Sequence, residues 1–185
     1  MTSQETALAE LTRVLTDGRV PYMVISGLAN IIWGEPRATI DIDVTVWALD
    51  PRIPEVVEML GRHFTVLVEN PAAFIHETRV LPLESTNGVR IDVIFGLLSF
   101  EQEAIARAAT VQVAGAPVRF CTAEDLILMK IVSDRKRDLA DARAIIRRRL
   151  PQLDREYLDP RIHELSQLLE RPDIDARWRA WSTEP

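Results

Sequence analysis

The stretch "RATIDIDVTVW", residues 37–47, places two acidic residues in a segment that is otherwise mostly apolar and β-branched. Strict alternation predicts a strand whose branched apolar side chains share one face, while Asp41 and Asp43 share the other. At a rise of about 3.3 Å per residue their Cα atoms lie about 6.6 Å apart, so the two carboxylates can converge on one cation. A solvated acidic face on an edge strand has the same pattern. The rest of the chain must distinguish these two interpretations.

Composition limits the class of protein. The chain has 185 residues, of which 47% are hydrophobic and 27% charged, and this predicts one good core or a main domain with a helical appendage. The formal net charge of -6 argues against a surface that binds polyanions throughout, because phosphate contacts need clustered Lys and Arg. Apolar runs are shorter than a bilayer span and the N-terminus lacks the pattern of a signal peptide. We therefore expect a cytoplasmic protein without membrane attachment.

Thiol and imidazole side chains are too few and too scattered to indicate a site. Cys121 is the only cysteine in the sequence, which excludes an internal disulfide and a zinc site with several thiolates. The three histidines, His63, His76 and His163, have no metal-ligand spacing. A site based on histidine or thiolate ligands is therefore not expected.

The order of predicted elements indicates an α+β protein. Helical periodicity over residues 4–16 is followed by a buried strand, a short helix after Gly27, and the strand that carries Asp41 and Asp43. Further alternating segments predict a mixed β-sheet of about five strands with flanking helices, and the chain then becomes helical in pattern.

We predict a division of the chain near residue 120. Residues 1–120 would form the core that contains the sheet, which the resemblance described below implies to be catalytic, and residues 121–185 would form a helical C-terminal part that packs on it. Ser99 and Thr122 are predicted to cap helices, because each is followed three residues later by a side chain in capping-box register.

A third acidic residue lies in a later apolar strand. In "VRIDVIF", residues 89–95, Asp92 faces away from its apolar neighbours and shares a face with Arg90. If this strand lies beside the strand of Asp41 and Asp43, a spacing of about 4.8 Å between strands would bring three carboxylates together. Such a cluster is a natural oxygen site for Mg²⁺ or Mn²⁺. Two ions about 4 Å apart would activate a hydroxyl and stabilise a leaving pyrophosphate.

The string "ISGLANIIWGEPRATIDIDVTV", residues 25–46, resembles the signature of the nucleotidyltransferase superfamily: a strand, a Gly-Gly or Gly-Ser turn that opens a helix, and an Asp-x-Asp strand, with a third Asp later. Together with "CTAEDLILMKIVSDRKRDLADARAII", residues 121–146, it is similar to the AbiEii-type nucleotidyltransferases, many of which are toxins of toxin-antitoxin systems. The resemblance implies a nucleotidyltransferase-like fold and catalysis with two metal ions.

The resemblance implies roles for residues around the turn and the acidic strands. Ser26 and Gly27 would lie close to the triphosphate, whose phosphates would be near the N–H groups of the following helix. Asp41, Asp43 and Asp92 would hold Mg²⁺ or Mn²⁺, and Asp92 would help to deprotonate the acceptor hydroxyl. Serine stands at position 26 where the AbiEii-type proteins usually have glycine, and it still allows the turn.

The resemblance also implies nucleotide-binding residues elsewhere in the chain. Lys130 would reach the triphosphate, Arg37 and Thr39 would position the loop and the substrate, and Asp138 and Asp141 match the Asp-x-x-Asp of the AbiEii-type proteins. Without the resemblance, Lys130 is typical of a solvated helix face. Asp138 and Asp141 are then typical of surface acids that pair with nearby arginines.

The implied activity is metal-dependent transfer of a nucleoside monophosphate from an NTP to a hydroxyl of RNA (tRNA), of a protein or of a small molecule. A toxin of this type would have a cognate antitoxin as partner. An RNA acceptor would use a basic lane formed by Arg135, Lys136, Arg137, Arg143 and Arg147–Arg149. The alternative is a catalytically silent nucleotide-sensing or partner-binding module of the same fold.

Overall fold

The structure is a computed structural model and describes residues 1–184. This part of the chain forms two compact units. The first comprises residues 1–28 and 38–121, and the second comprises residues 29–37 and the chain from Thr122 onward. All strands of the described chain lie in the first unit, whereas the second unit is helical.

The first unit contains one mixed sheet of seven strands. The strands are β1 (Tyr22–Val24), β2 (Ile42–Val46), β3 (Thr65–Val66), β4 (Val80–Glu84), β5 (Arg90–Phe95), β6 (Ala109–Val113) and β7 (Ala116–Phe120). Their order across the sheet is β3-β4-β5-β2-β1-β7-β6. Four helices belong entirely to this unit: α1 (Ser3–Asp17), α3 (Ile53–Gly61), α4 (Pro71–Thr78) and α5 (Ser99–Arg107).

The second unit contains α6 (Ala123–Ile131), α7 (Lys136–Arg149), α8 (Arg155–Leu168) and α9 (Pro172–Trp181). Helix α2 (Ser26–Trp33) begins in the first unit and ends in the second. Short 3-10 turns at Asp50–Arg52 and Leu150–Gln152 precede α3 and follow α7. The predicted mixed sheet with flanking helices and a helical C-terminal part is confirmed. No helix within residues 1–184 has both the length and the apolarity to cross a membrane.

The sheet is wider than the five strands expected from the sequence. The β6-β7 hairpin joins it because β7 pairs in parallel with β1 through Val24 and Phe120. At the other edge, the two-residue β3 pairs with β4. The acidic strand β2 is central, since it runs antiparallel to β1 and parallel to β5.

Alternation in β2 and β5 separates a buried apolar face from a face that carries acids. Ile42 and Val44 are fully buried, as are their register partners Ile91 and Val93. Each such side chain stabilises the fold by about 1.5–3 kcal/mol relative to its exposed state. A slip of one residue in register would move this apolar set to the opposite face and the acids into the apolar core, so burial fixes which face the acids occupy.

One predicted helix cap is confirmed and one is wrong. The hydroxyl of Thr122 accepts a hydrogen bond from the backbone N–H of Asp125 at 3.1 Å, as a cap of α6 does. Ser99 is instead the first residue of α5, which follows Leu98. The carboxylate of Glu101 accepts from the N–H groups of Leu97 and Leu98, at 2.8 and 2.9 Å, and so satisfies the donors before the first turn.

Candidate active site

Asp43 and Asp92 are register partners on the neighbouring parallel strands β2 and β5. Residues paired in register on adjacent strands share a face, and the strands lie about 4.8 Å apart. The two side chains, called the acid pair below, therefore stand next to each other on the face opposite the buried Ile42 and Ile91. The sequence predicts this neighbourhood, and the strand pairing bears it out.

Asp41 is placed differently from the acid pair. Strand β2 begins at Ile42, so Asp41 lies on the bend before the sheet, and it is exposed. Within residues 1–184, no three or more His, Cys, Asp or Glu side chains are arranged as a group that could hold a metal ion. The chain thus brings two of the three predicted carboxylates together in the sheet and leaves the third on the adjoining bend.

The carboxylate of Asp92 has an unusual environment. Its Oδ1 atom is buried and has no hydrogen-bond partner in the described part of the chain. Nε of Arg90 lies 3.5 Å from the same atom, which is an ion pair without hydrogen-bond geometry. A buried charged oxygen without donors is costly. Two adjacent carboxylates, one with an unsatisfied oxygen, are a donor set that fits Mg²⁺ or Mn²⁺.

The turn between β1 and α2 lies at the end of the sheet at which strand β2 begins. Because β1 runs antiparallel to β2, its end is next to Asp43, whose carbonyl accepts a hydrogen bond from the N–H of Ile25 at 3.0 Å. Ser26 has a φ of 55°, in the left-handed region that is costly for residues other than glycine. The N–H groups of the first turn of α2 therefore lie at the same end of the strands as the acid pair.

Gly27 is required at this turn by a close approach of Thr39. A Cβ atom at position 27 would lie 2.4 Å from Oγ1 and 2.8 Å from Cβ of Thr39. No side chain fits in that space without moving the segment that leads into β2. Two predicted site residues are thus in contact, and the reason for the glycine is steric as well as conformational.

In the second unit, the buried Lys130 is the centre of a group of charges, which we call the Lys130 cluster: Arg37, Lys130, Asp138 and Asp141. Lys130 is 5% exposed, and its Nζ donates to Oδ1 of Asp138 and to Oδ2 of Asp141, both at 2.8 Å. Arg37 donates to both oxygens of Asp141, at 3.2 and 2.9 Å. Arg37 thus joins three predicted residues that lie more than 90 positions later in the chain, and the four form one network.

The Lys130 cluster keeps both of its carboxylates ionised. Burial by itself raises the pKa of Asp138, but the hydrogen bond and charge of Lys130, the hydrogen bond of Ser133 and the charge of Arg135 together outweigh it, so the pKa lies below its ordinary value. Burial also raises the pKa of Asp141, and hydrogen bonds from Arg37 and Lys130 lower it further than burial raises it. Two positive and two negative groups thus balance each other, with Lys130 and Asp141 buried and Arg37 and Asp138 partly exposed.

Part of the predicted basic lane is occupied by contacts within the second unit. Nη1 of Arg148 donates to the carbonyl of Gly34 at 3.1 Å. Arg149 donates to the carbonyls of Ile32 at 3.0 Å and Trp33 at 3.3 Å, and its guanidinium lies 5.5 Å from the centre of the Trp33 ring. These carbonyls are at the end of α2, where positive charge is favourable.

Two more members of the lane form ion pairs. Arg147 pairs with Glu35, and Arg143 donates to both oxygens of Glu184, at 2.9 and 2.7 Å. The run of three arginines is visible in the sequence, but nothing in the sequence shows that the last carbonyls of α2 lie beside it.

Comparison with known proteins places the chain in a family. The model of the family described as "Nucleotidyltransferase of unknown function (DUF6036)" matches residues 5–184. A search of curated proteins gave no match.

Solved structures share the fold at low identity. An antigenic nucleotidyltransferase-like protein from Paracoccidioides brasiliensis is 20% identical, with a TM-score of 0.56 over 97% of this chain and 94% of that chain. ANT(2'')-Ia, in complex with adenylyl-2''-tobramycin, is 20% identical, with a TM-score of 0.55 over 96% and 99%. The lincosamide antibiotic adenylyltransferase LnuA, lincomycin-bound, is 14% identical, with a TM-score of 0.53 over 78% and 96%. By its family match, the chain belongs to the DUF6036 nucleotidyltransferases.

Proposed function

We propose that this protein transfers a nucleoside monophosphate from an NTP to a hydroxyl group of a small molecule, in a reaction that depends on Mg²⁺ or Mn²⁺. The observation that carries the proposal is the acid pair, because Asp43 and Asp92 stand side by side and one oxygen of Asp92 lacks a hydrogen-bond donor. The family match supports the general reaction.

The chain's own residues supply positioning and proton transfer. Asp43 and Asp92 would hold the metal, with Asp41 on the adjoining bend as a third ligand, and a bound ion would neutralise phosphate charge. The N–H groups at the start of α2, after the turn at Ser26 and Gly27, would bind phosphate oxygens. Asp92 accepts the proton of the acceptor hydroxyl as that oxygen bonds to the α-phosphorus, and the bond from the α-phosphorus to the bridging oxygen breaks to release pyrophosphate.

Arg37, Lys130 and Asp138 are the nucleotide-binding residues of this proposal, and it is supported by the hydrogen bonds that join them in the Lys130 cluster. Both carboxylates accept hydrogen bonds from the ammonium group of Lys130. For Lys130 to contact a phosphate, the phosphate would have to replace one of these carboxylates. Asp138 is the partner that would yield, since its side chain is 24% exposed and that of Asp141 is 8% exposed. Arg37 and Asp141 would then keep the network in place.

A small-molecule acceptor agrees with the charges of the chain. The net charge is -6, and four arginines of the basic lane are engaged in contacts within the second unit. Binding of RNA requires basic side chains that are available to many phosphates. Two structures that share the fold contain small-molecule antibiotics: ANT(2'')-Ia is in complex with adenylyl-2''-tobramycin, and LnuA is lincomycin-bound. A tRNA acceptor, the AbiEii-type subfamily, a toxin role and a cognate antitoxin stay predictions from the sequence resemblance.

Transfer assays with NTPs labelled at the α-phosphate test the proposal. The protein is incubated with Mg²⁺ or Mn²⁺ and with separate pools of aminoglycosides, lincosamides, other hydroxylated metabolites and total tRNA. Asp43→Asn and Asp92→Asn should each lower transfer at least about 100-fold, because each removes a charge that acts in the transition state. Asp17→Asn, at an exposed position on α1, is the matched control and should retain full transfer. Transfer that survives Asp43→Asn contradicts the catalytic assignment, and transfer to tRNA alone contradicts the small-molecule acceptor.

A second candidate is the catalytically silent nucleotide-binding module. Two observations favour it: the described residues contain no group of three metal ligands, and Lys130 is buried between two carboxylates. Calorimetry with Mg²⁺ and each NTP distinguishes the two functions. Nucleotide binding without transfer to any acceptor pool over hours supports the silent module.

A further inference from the structure

Arg90 is placed to act on the acid pair, although the sequence resemblance gives it no role. It is the first residue of β5 and lies two positions before Asp92, so both side chains point to the same face. Its Nε is 3.5 Å from Oδ1 of Asp92. Glu84 is its register partner on β4. Arg90 therefore places a positive charge at the edge of the proposed metal site.

Another cation can replace Arg90 in its contact with Asp92. The Arg90 side chain is 55% exposed, whereas Oδ1 of Asp92 is buried and accepts no hydrogen bond within residues 1–184. The guanidinium thus compensates the charge of this oxygen without satisfying it as an acceptor. Ion pairs with an exposed partner are weak, so a cation that binds the carboxylate more strongly can displace Arg90.

We propose that Arg90 competes with a divalent cation for Oδ1 of Asp92. When a metal-nucleotide complex binds, the Arg90 side chain leaves Asp92 and its guanidinium donates hydrogen bonds to the phosphates. This inference rests on the proposed function. A cation bound at this oxygen would lie close to the guanidinium and be repelled by its charge, so Arg90 and the ion compete for the oxygen. The displaced guanidinium carries five N–H donors in a geometry that matches phosphate. Arg90 is then a positioning residue that disfavours the free ion and favours the ion with its phosphates.

Binding of Mn²⁺ alone tests the competition. The affinity is measured by calorimetry on the full chain, without nucleotide. Arg90→Gln should bind Mn²⁺ about threefold to tenfold more tightly than wild type, because the competing charge is gone. Arg90→Lys keeps the charge and should stay within about twofold of wild type. Arg13→Gln is the matched control, since Arg13 is 57% exposed, lies in the same unit and also pairs with an aspartate.

Binding of Mn²⁺ with tripolyphosphate tests the transfer to phosphates. Tripolyphosphate carries the phosphate chain of every NTP without a base, so the result does not depend on base preference. Arg90→Gln should weaken this binding about tenfold, as expected for the loss of a charge-assisted hydrogen bond. A residue with a merely structural role would shift both affinities in the same direction, whereas the proposal requires opposite shifts.

Measurement in an Asp92→Asn background shows whether the effect passes through Asp92. There, Arg90→Gln should change the affinity for Mn²⁺ by less than about twofold, because the shared oxygen has lost its charge. The inference is overturned if Arg90→Gln leaves Mn²⁺ binding unchanged or makes it weaker, or if it leaves the binding of Mn²⁺ with tripolyphosphate unchanged. It is also overturned if neither wild type nor Arg90→Gln binds Mn²⁺. Those results leave the proposed function standing as long as transfer depends on Asp43. Loss of that dependence overturns the proposed function instead.

Discussion

Lys130 and Asp141 form an ion pair of 2.8 Å whose side chains are 6% and 8% exposed. Burial of two charges costs desolvation energy, and here it is compensated because each partner has a second partner. Lys130 also contacts Asp138, and Asp141 also contacts Arg37. The removal of one member leaves an opposite charge buried without full compensation. The Lys130 cluster is therefore a point where single substitutions have large effects.

We predict that Lys130→Met lowers the free energy of unfolding by about 3–5 kcal/mol, because the variant leaves two carboxylates with one guanidinium. Urea denaturation followed by tryptophan fluorescence measures the change. Arg13→Gln breaks an exposed pair and should cost less than about 1 kcal/mol. A loss of less than about 1 kcal/mol in Lys130→Met would show that the cluster contributes little to stability.

The lowered pKa of Asp138 predicts a dependence of stability on acid. In the folded state the carboxylate stays charged at pH values where the unfolded chain already binds a proton, so stability is full above the ordinary pKa of 3.8 and falls as the pH drops below it. Asp138→Asn removes this pH-dependent contribution to stability. Its melting temperature should fall less steeply than that of wild type as the pH drops from about 5 to 2.5. Asp17→Asn is the control for loss of a carboxylate, and equal slopes for Asp138→Asn and wild type would contradict the prediction.

The acid pair could be predicted because strand periodicity is a local property. Alternation shows that Asp41, Asp43 and Asp92 avoid the apolar faces of their strands, and two apolar strands of similar pattern are natural neighbours. The register is not local. Asp92 pairs with Asp43 because Ile91 and Val93 are buried beside Ile42 and Val44, and Asp41 lies outside this register because β2 begins its pairing at Ile42.

Contacts between distant segments account for what the sequence did not reveal. Arg148 contacts Gly34, 114 positions away along the chain, so its charge could be recognised but not its partner. The buried state of Lys130 has the same origin, since it depends on how α6 and α7 pack. The sequence also does not show that residues 29–37 group with the helical unit, because a boundary near residue 120 divides the chain into only two continuous parts.

Gly27→Ala should lower the free energy of unfolding by about 1–3 kcal/mol, because its Cβ would lie 2.4 Å from Oγ1 of Thr39. Thr39→Ala in the same chain should restore part of the loss, since Cβ of residue 39 remains close. Gly61→Ala is the matched control: its nearest neighbour is 3.7 Å away, in ordinary contact, and the change should be neutral or stabilising. Chemical denaturation of the four proteins gives the comparison. An unaffected Gly27→Ala variant would mean that the turn relaxes without cost.

Arg149→Ala should lower stability without affecting the affinity for polyanions. Its guanidinium donates to two carbonyls at the end of α2 and lies over the ring of Trp33, so the alanine variant leaves those carbonyls without a charged donor. We expect a loss of about 1–2 kcal/mol by urea denaturation. Arg149→Lys should recover less than half of it, because an ammonium group lacks the paired N–H donors of the planar guanidinium.

Affinity for total tRNA is measured in parallel at several salt concentrations. Lys136→Gln, on the first turn of α7, is the comparison at a lane position for which the structure gives no ion pair. A steep salt dependence that Arg149→Ala abolishes would assign this arginine to RNA binding, whereas a loss confined to stability assigns it to the end of α2.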